Sequence, residues 1–224
     1  VAVSIPSSCV EIPASAFGET ALPPEGTAQV PHFHFWPIDN TVMDWGWCPE
    51  DDTAIQYLAN NATQLSNDIK NLRMHDGTGT HYGMKWAVSL LSPEARWLTD
   101  HLVELGLAPE AHYGLPRAWE AEGTQKFIVL MTDGQITDQW RPVDPTHPDN
   151  ATVELQDQSS DNRVKMTRRD DNLSAFYDQC DLAKANGVVV FTIAFEAPQG
   201  GRDEMRTCAS SASHFFDVEG NEIN

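Results

Sequence analysis

The sharpest hydrophobic pattern in the chain is the unbroken run FIVLM at 127–131, which ends at once in Thr132, Asp133 and Gly134. An apolar run of that length closed by a turn signal predicts a strand buried on both faces of a parallel sheet. VVVFTIAF (188–195) has the same character, and HFFDV (214–218) predicts a third strand. Between them, LSAFYDQCDLAKANG reads as a helix stopped by Gly187, and GRDEMRTCASS as a shorter one. Strand, helix, strand, helix, strand predicts an α/β fold: a doubly wound, mostly parallel sheet flanked by helices. In such sheets ligands gather at the carboxyl ends of the strands, and Asp133 stands at one of those ends.

Upstream, TAIQYLANNATQLSNDIKNLR spaces Ile55, Leu58, Ala62, Leu65, Ile69 and Leu72 by three and four. That is the period of an amphipathic helix, with Asp51 or Asp52 as N-cap. GTGTHYGMKWAVSLL is a Gly/Thr turn opening a helix that ends near Leu91. Pro93 starts another, stopped by Gly106. Residues 10–50, rich in Pro, Gly and aromatic rings, read as an irregular insertion. Residues 135–172, with Pro142, Pro145, Pro148 and many Asp, read as a long acidic loop insertion.

Charge narrows the partners. Thirty-three acidic against fourteen basic side chains give a formal charge of −19 over 224 residues. That field repels nucleic acid and anionic lipid. It attracts divalent cations and basic surfaces, although solubility alone accounts for it. No stretch is long and apolar enough for a membrane helix, and VAVSIPSSC is not a signal peptide. The chain starts without Met, which suggests a piece of a longer protein.

Cys9, Cys48, Cys180 and Cys208 include no CxxC, which leaves a four-thiolate zinc site without its spacing. Disulfides and free thiols both remain open. Among the three pairings that four cysteines allow, proximity favours Cys9 with Cys48 and Cys180 with Cys208. Other constellations are weaker. His32 and His34 in PHFHFW lack a third ligand, and GTGTHYG misses the G-x-G-x-x-G spacing. The chain has no Walker lysine, no G-x-S-x-G and no EF-hand loop. The triplets at Asn61, Asn150 and Asn172 are chance matches to a glycosylation motif. An Asp at a strand tip suffers desolvation unless something offsets it. A Mg²⁺ ion, taking about six oxygens from carboxylates, hydroxyls and water, is one way to do so. An Asp capping its own turn is the simpler one.

MTDG at the end of an apolar strand, with a Gly-Thr loop opening an earlier helix, resembles a von Willebrand factor A domain. That resemblance implies a metal-ion-dependent adhesion site, with Thr78 as the second-loop hydroxyl and Asp133 as the third-loop carboxylate holding Mg²⁺ or Mn²⁺. GTGTHYGMKWAVSLLSP, KFIVLMTDGQIT, SCVEIPASAF and the segment from DLAKANG to HFFDVEG together resemble TadG-like proteins of the Tad (Flp) pilus system. The resemblance implies a Cys180–Cys208 bridge and one A-type domain over 1–224, incomplete at both ends. The family's first-loop D-x-S-x-S does not occur in this chain; it is expected upstream of Val1, and a last helix is expected beyond EGNEIN. Apolar surface is expected to be exposed where a strand and a helix should pack.

The function implied is non-enzymatic: pilus assembly and surface adhesion on the periplasmic side of a bacterial envelope, in a parent protein anchored by an N-terminal transmembrane helix. The partner would be a pilus or envelope protein whose carboxylate completes the ion's coordination. The alternatives are a metal-assisted hydrolase, with Asp133 as ligand and His75 or His81 as base, and a scaffold without metal.

Overall fold

The structure is a computed structural model that describes residues 6–22, 29–31, 36–39, 43–45, 54–72, 77–144, 147–151, 153 and 155–220. In chain order its elements are β1 (Pro6–Val10), β2 (Gln29–Pro31), β3 (Trp36–Asp39), β4 (Met43–Trp45), α1 (Ala62–Asn71), α2 (Thr80–Leu91), α3 (Arg96–Glu104) and β5 (Phe127–Thr132). These are followed by β6 (Gln139–Pro142), β7 (Arg163–Thr167), α4 (Arg169–Ala185), β8 (Val189–Phe195), α5 (Gln199–Cys208) and β9 (Phe215–Val218). Short 3-10 turns link several of them, one at Ala14–Gly18.

The chain forms two compact units. The first takes Val1–Glu11, Gly26–Gly77 and Gln139–Thr167, and the second Ile12–Glu25, Thr78–Asp138 and Arg168–Asn224. The first unit consists of antiparallel pairs, β1 with β2, β3 with β4 and β6 with β7, together with α1. The 10–50 and 135–172 segments therefore carry short strands where loops were expected. In the β6–β7 pair, Arg163 and Lys165 lie over the Trp140 ring at 5.3 and 4.9 Å, a cation–ring pairing that favours strands over open loop. Helix α1 is shorter than its period suggests. Asn61 caps it, its side chain accepting from the backbone N–H of Thr63 and Gln64, whereas Asp51 and Asp52 lie outside the described residues. No residue of α1 is buried, and Ile69 and Leu72 face solvent.

The second unit has the expected α/β class: a parallel three-stranded sheet in the order β5-β8-β9, flanked by helices and consistent with a doubly wound fold. Met84 and Val88 of α2, Phe176, Cys180 and Ala183 of α4, and Met205 and Cys208 of α5 share one core cluster with Ile128, Val190 and Ala194 of the strands. All three helices therefore cover the same sheet face. The topology explains this. Both crossovers, through α4 and then α5, step the same way along the sheet, and right-handed connections place such helices on one side. The expectation that FIVLM is buried on both faces needs correction: Ile128 is buried, while Phe127, Val129 and Met131 are exposed.

Local chemistry sharpens the elements. Asp170 and Asp171 occupy the first turn of α4, where the helix dipole favours acid. At the other end of α4, Gly187, at φ 76°, stops the helix in a conformation that side chains resist. Cys180 and Cys208 form a disulfide joining α4 to α5, as the family resemblance implies. Cys9 is also in a disulfide; its expected partner Cys48 lies outside the described residues.

Candidate functional site

The carboxyl end of β5 is assembled from three segments of the second unit. The turn 132–138 leaves the strand, and Gly134 N–H donates to Thr132 Oγ1. Thr78, just before α2, is pressed against this turn, for a β-carbon on Gly134 would lie 2.5 Å from Thr78 Oγ1. Thr137 N–H donates to the Thr78 carbonyl at 3.2 Å. From the other side comes the start of α5, where a β-carbon on Gly201 would meet the Gly134 carbonyl oxygen at 2.4 Å. Only glycine permits approaches this close.

The turn is held from beneath by a polar network with no counterpart in the sequence-level reading. Glu204 is almost fully buried. It accepts from Ile136 N–H at 2.9 Å and forms a very short ion pair with Arg169. Burial raises the Glu204 pKa, against the opposing pull of the Ile136 hydrogen bond and Arg169. Asp138 accepts from Arg169 N–H at 2.7 Å, and Asn172 Nδ2 donates to the Thr137 carbonyl at 2.8 Å. The turn is thereby tied to the first turn of α4 and, through Glu204, to the second turn of α5. A signal existed in the sequence: Gly201, Glu204, Met205 and Cys208 recur at helical spacing, which places Glu204 on the inward face of α5.

The two sequence-predicted site residues thus meet in one place, Thr78 against the turn that carries Asp133. Asp133 itself is exposed. The burial expected for an acid at the tip of a covered strand is therefore not found at Asp133, which follows the open face of β5. Carboxylate and hydroxyl oxygens are the donors a hard cation takes, yet they supply two of the roughly six that Mg²⁺ binds. Among the described residues, no group of three or more His, Cys, Asp or Glu is placed to hold a metal.

His81 is 1% exposed, packed on Phe17 and Tyr82 with ring centroids 5.4 and 4.9 Å away. Burial lowers its pKa to about 4. An imidazole so placed is a core residue with almost no solvent access. His75 lies outside the described residues, as do His32 and His34.

No helix among the described residues is long and apolar enough to cross a membrane. The Cys180–Cys208 disulfide fits an oxidising, extracytoplasmic setting. The sequence matches no family model and no curated protein. Among solved structures it is similar to the pilus adhesin SpaC from Lactobacillus rhamnosus GG. One crystal form gives 17% identity and a TM-score of 0.37, and the open conformation gives 15% and 0.38. Each comparison covers 70% of this chain and 19% of the adhesin chain.

Proposed function

We propose that this chain is a non-enzymatic, extracytoplasmic von Willebrand factor A-type domain of a TadG-like protein, acting in Tad pilus assembly and surface adhesion by binding a protein partner at the carboxyl end of β5. The observation that carries the reading is the seating of Thr78 against the Asp133–Gly134 turn, two segments 55 residues apart in the chain whose motifs resemble two loops of an adhesion site. The oxygen-only pair suits Mg²⁺ or Mn²⁺. Water and a partner carboxylate would take the remaining positions, so affinity would be low in the domain alone and higher in the complex. In this reading the parent is held at the periplasmic face by an N-terminal transmembrane helix, and the disulfide supports an oxidising compartment.

Mn²⁺ titration followed by electron paramagnetic resonance tests the ion. Binding is expected to be displaced by Mg²⁺, lost in Asp133→Ala and weakened in Thr78→Ala. Equal binding by all three proteins would remove the ion from the proposal. Acid-quenched thiol trapping in intact cells tests the compartment: a Cys180–Cys208 pair found reduced there would overturn the extracytoplasmic placement.

A further inference from the structure

Three consecutive residues of the turn after β5 bond to three different segments of the second unit. Ile136 N–H donates to Glu204 Oε2 of α5 at 2.9 Å, and Thr137 N–H donates to the Thr78 carbonyl at 3.2 Å. Asp138 Oδ1 accepts from Arg169 N–H, at the start of α4, at 2.7 Å. Glu204 and Thr78 are therefore held by adjacent amides of one turn. A rotation of the peptide at Ile136 carries Thr137 with it, and with Thr137 the bond that seats Thr78. The Ile136 side chain is fully buried in the core, so the turn is pinned there, and the direction of its N–H is what Glu204 fixes.

Stability alone does not account for Glu204. It is 4% exposed, and its other oxygen pairs with the Arg169 guanidinium. A buried ion pair returns little stability, because apolar side chains of the same volume serve as well or better. What an apolar side chain cannot do is accept the Ile136 N–H with one oxygen and hold Arg169 with the other. Arg169 completes a closed ring: its backbone N–H goes to Asp138, its guanidinium to Glu204, and Glu204 returns to the turn at Ile136. The Cys180–Cys208 bridge, further along the same two helices, keeps α4 and α5 together. Arg169 also lies 3.9 Å from the exposed Asp170, a solvent-screened pair that contributes little.

We propose that Glu204, fixed by Arg169, is a positioning residue: it orients the turn at Ile136 so that Thr137 keeps Thr78 against the Asp133 segment, and it thereby sets the affinity of that segment for a cation. The consequence for the cation rests on the adhesion-site reading; the positioning does not.

The test is amide hydrogen exchange of the full chain, read residue by residue by NMR, with Mn²⁺ binding by electron paramagnetic resonance as the second readout. Glu204→Gln keeps an oxygen for Ile136 N–H, but a neutral and weaker acceptor, and it releases the guanidinium. The Ile136 and Thr137 amides are expected to exchange at least tenfold faster, while Thr192 in the central strand β8 stays within threefold of the parent. Asp170→Asn touches the same guanidinium from the solvent side and is expected to leave Ile136 within twofold. Mn²⁺ affinity is expected to fall at least fivefold in Glu204→Gln, although Thr78 and Asp133 are intact. Ile136 exchange that is unchanged, or that rises only in step with Thr192, would overturn the positioning role, as would equal Mn²⁺ binding by Glu204→Gln and a parent that binds it. A parent that binds no Mn²⁺ would sink the adhesion-site reading and the cation consequence with it, while the exchange of Ile136 relative to Thr192 still decides the positioning. If Glu204→Gln does not fold, Arg169→Lys, which keeps the charge but loses the planar fork, gives the same comparison with an expected change of about threefold.

Discussion

Gly201 packs directly against Gly134: a β-carbon on the first would lie 2.4 Å from the carbonyl oxygen of the second. The obstacle is backbone, so it cannot swing aside as a side chain would. Gly201→Ala is expected to cost about 1–3 kcal/mol, the usual range for overpacking, and to shift the turn that carries Asp133. Gly18→Ala is the control. Nothing lies within 4 Å of its added carbon, so the change is expected to stay within about 1 kcal/mol of neutral. Urea denaturation of the two variants checks this, and similar midpoints would contradict the packing.

The segment Ile12–Ala21 is gripped by donors from two helices. Lys85 Nζ donates to the carbonyls of Glu19 and Ala21 at 2.6 and 2.7 Å. Ser89 shares the Ala21 carbonyl, and Gln179 shares that of Glu19 while also donating to Phe17 through a very short contact. Lys85→Met leaves both carbonyls with another donor and removes a fully buried ammonium whose pKa burial depresses to about 8. Its expected cost is under about 1 kcal/mol. Gln179→Leu takes the side-chain donor from the buried Phe17 carbonyl and is expected to cost about 1–3 kcal/mol. A larger loss for Lys85→Met than for Gln179→Leu in chemical denaturation would reverse this ranking.

Which parts were legible from sequence follows from what each depends on. The three parallel strands and the helices α2, α4 and α5 were readable because apolar runs and helical spacing are local properties. The motif resemblance placed Thr78 and Asp133 in one neighbourhood, and the structure does seat Thr78 against the turn that carries Asp133. The open face behind Phe127, Val129 and Met131 was not visible in the run FIVLM, because an apolar residue has the same letter whether covered or bare. Glu204 was missed for the converse reason: its role depends on Arg169 and Ile136, distant in sequence, and only its helical spacing with Met205 and Cys208 hinted at it. Helix α1 carries an amphipathic period that the described residues do not bury, so its pattern overstated its length.

The bridge between Cys180 and Cys208 closes 28 residues of chain, which in the chain-entropy account contributes roughly 3–4 kcal/mol. For a protein of this size that corresponds to a fall in Tm of roughly 6–15 °C when the bond is lost. Thermal melts of the Cys180→Ala/Cys208→Ala variant against the oxidised chain measure it. A variant that melts with the parent would mean that packing of Phe176, Met205 and their neighbours, rather than the cross-link, holds α4 to α5.

Acid should weaken the fold through His81. Its pKa is about 4 in the folded chain against 6.5 for an unhindered imidazole, because burial disfavours the charged ring. The unfolded chain therefore binds more protons than the folded one between those values, and stability rises with pH across that window. The contribution is fully present above about pH 6.5 and is lost progressively as the pH falls towards 4. The gap corresponds to roughly 3 kcal/mol at most. His81→Phe preserves a ring against Phe17 and Tyr82 and cannot take up the proton. Urea midpoints between pH 4 and 7 should therefore fall more steeply for the parent than for His81→Phe. Parallel pH profiles for the two proteins would show that another group sets the acid limit.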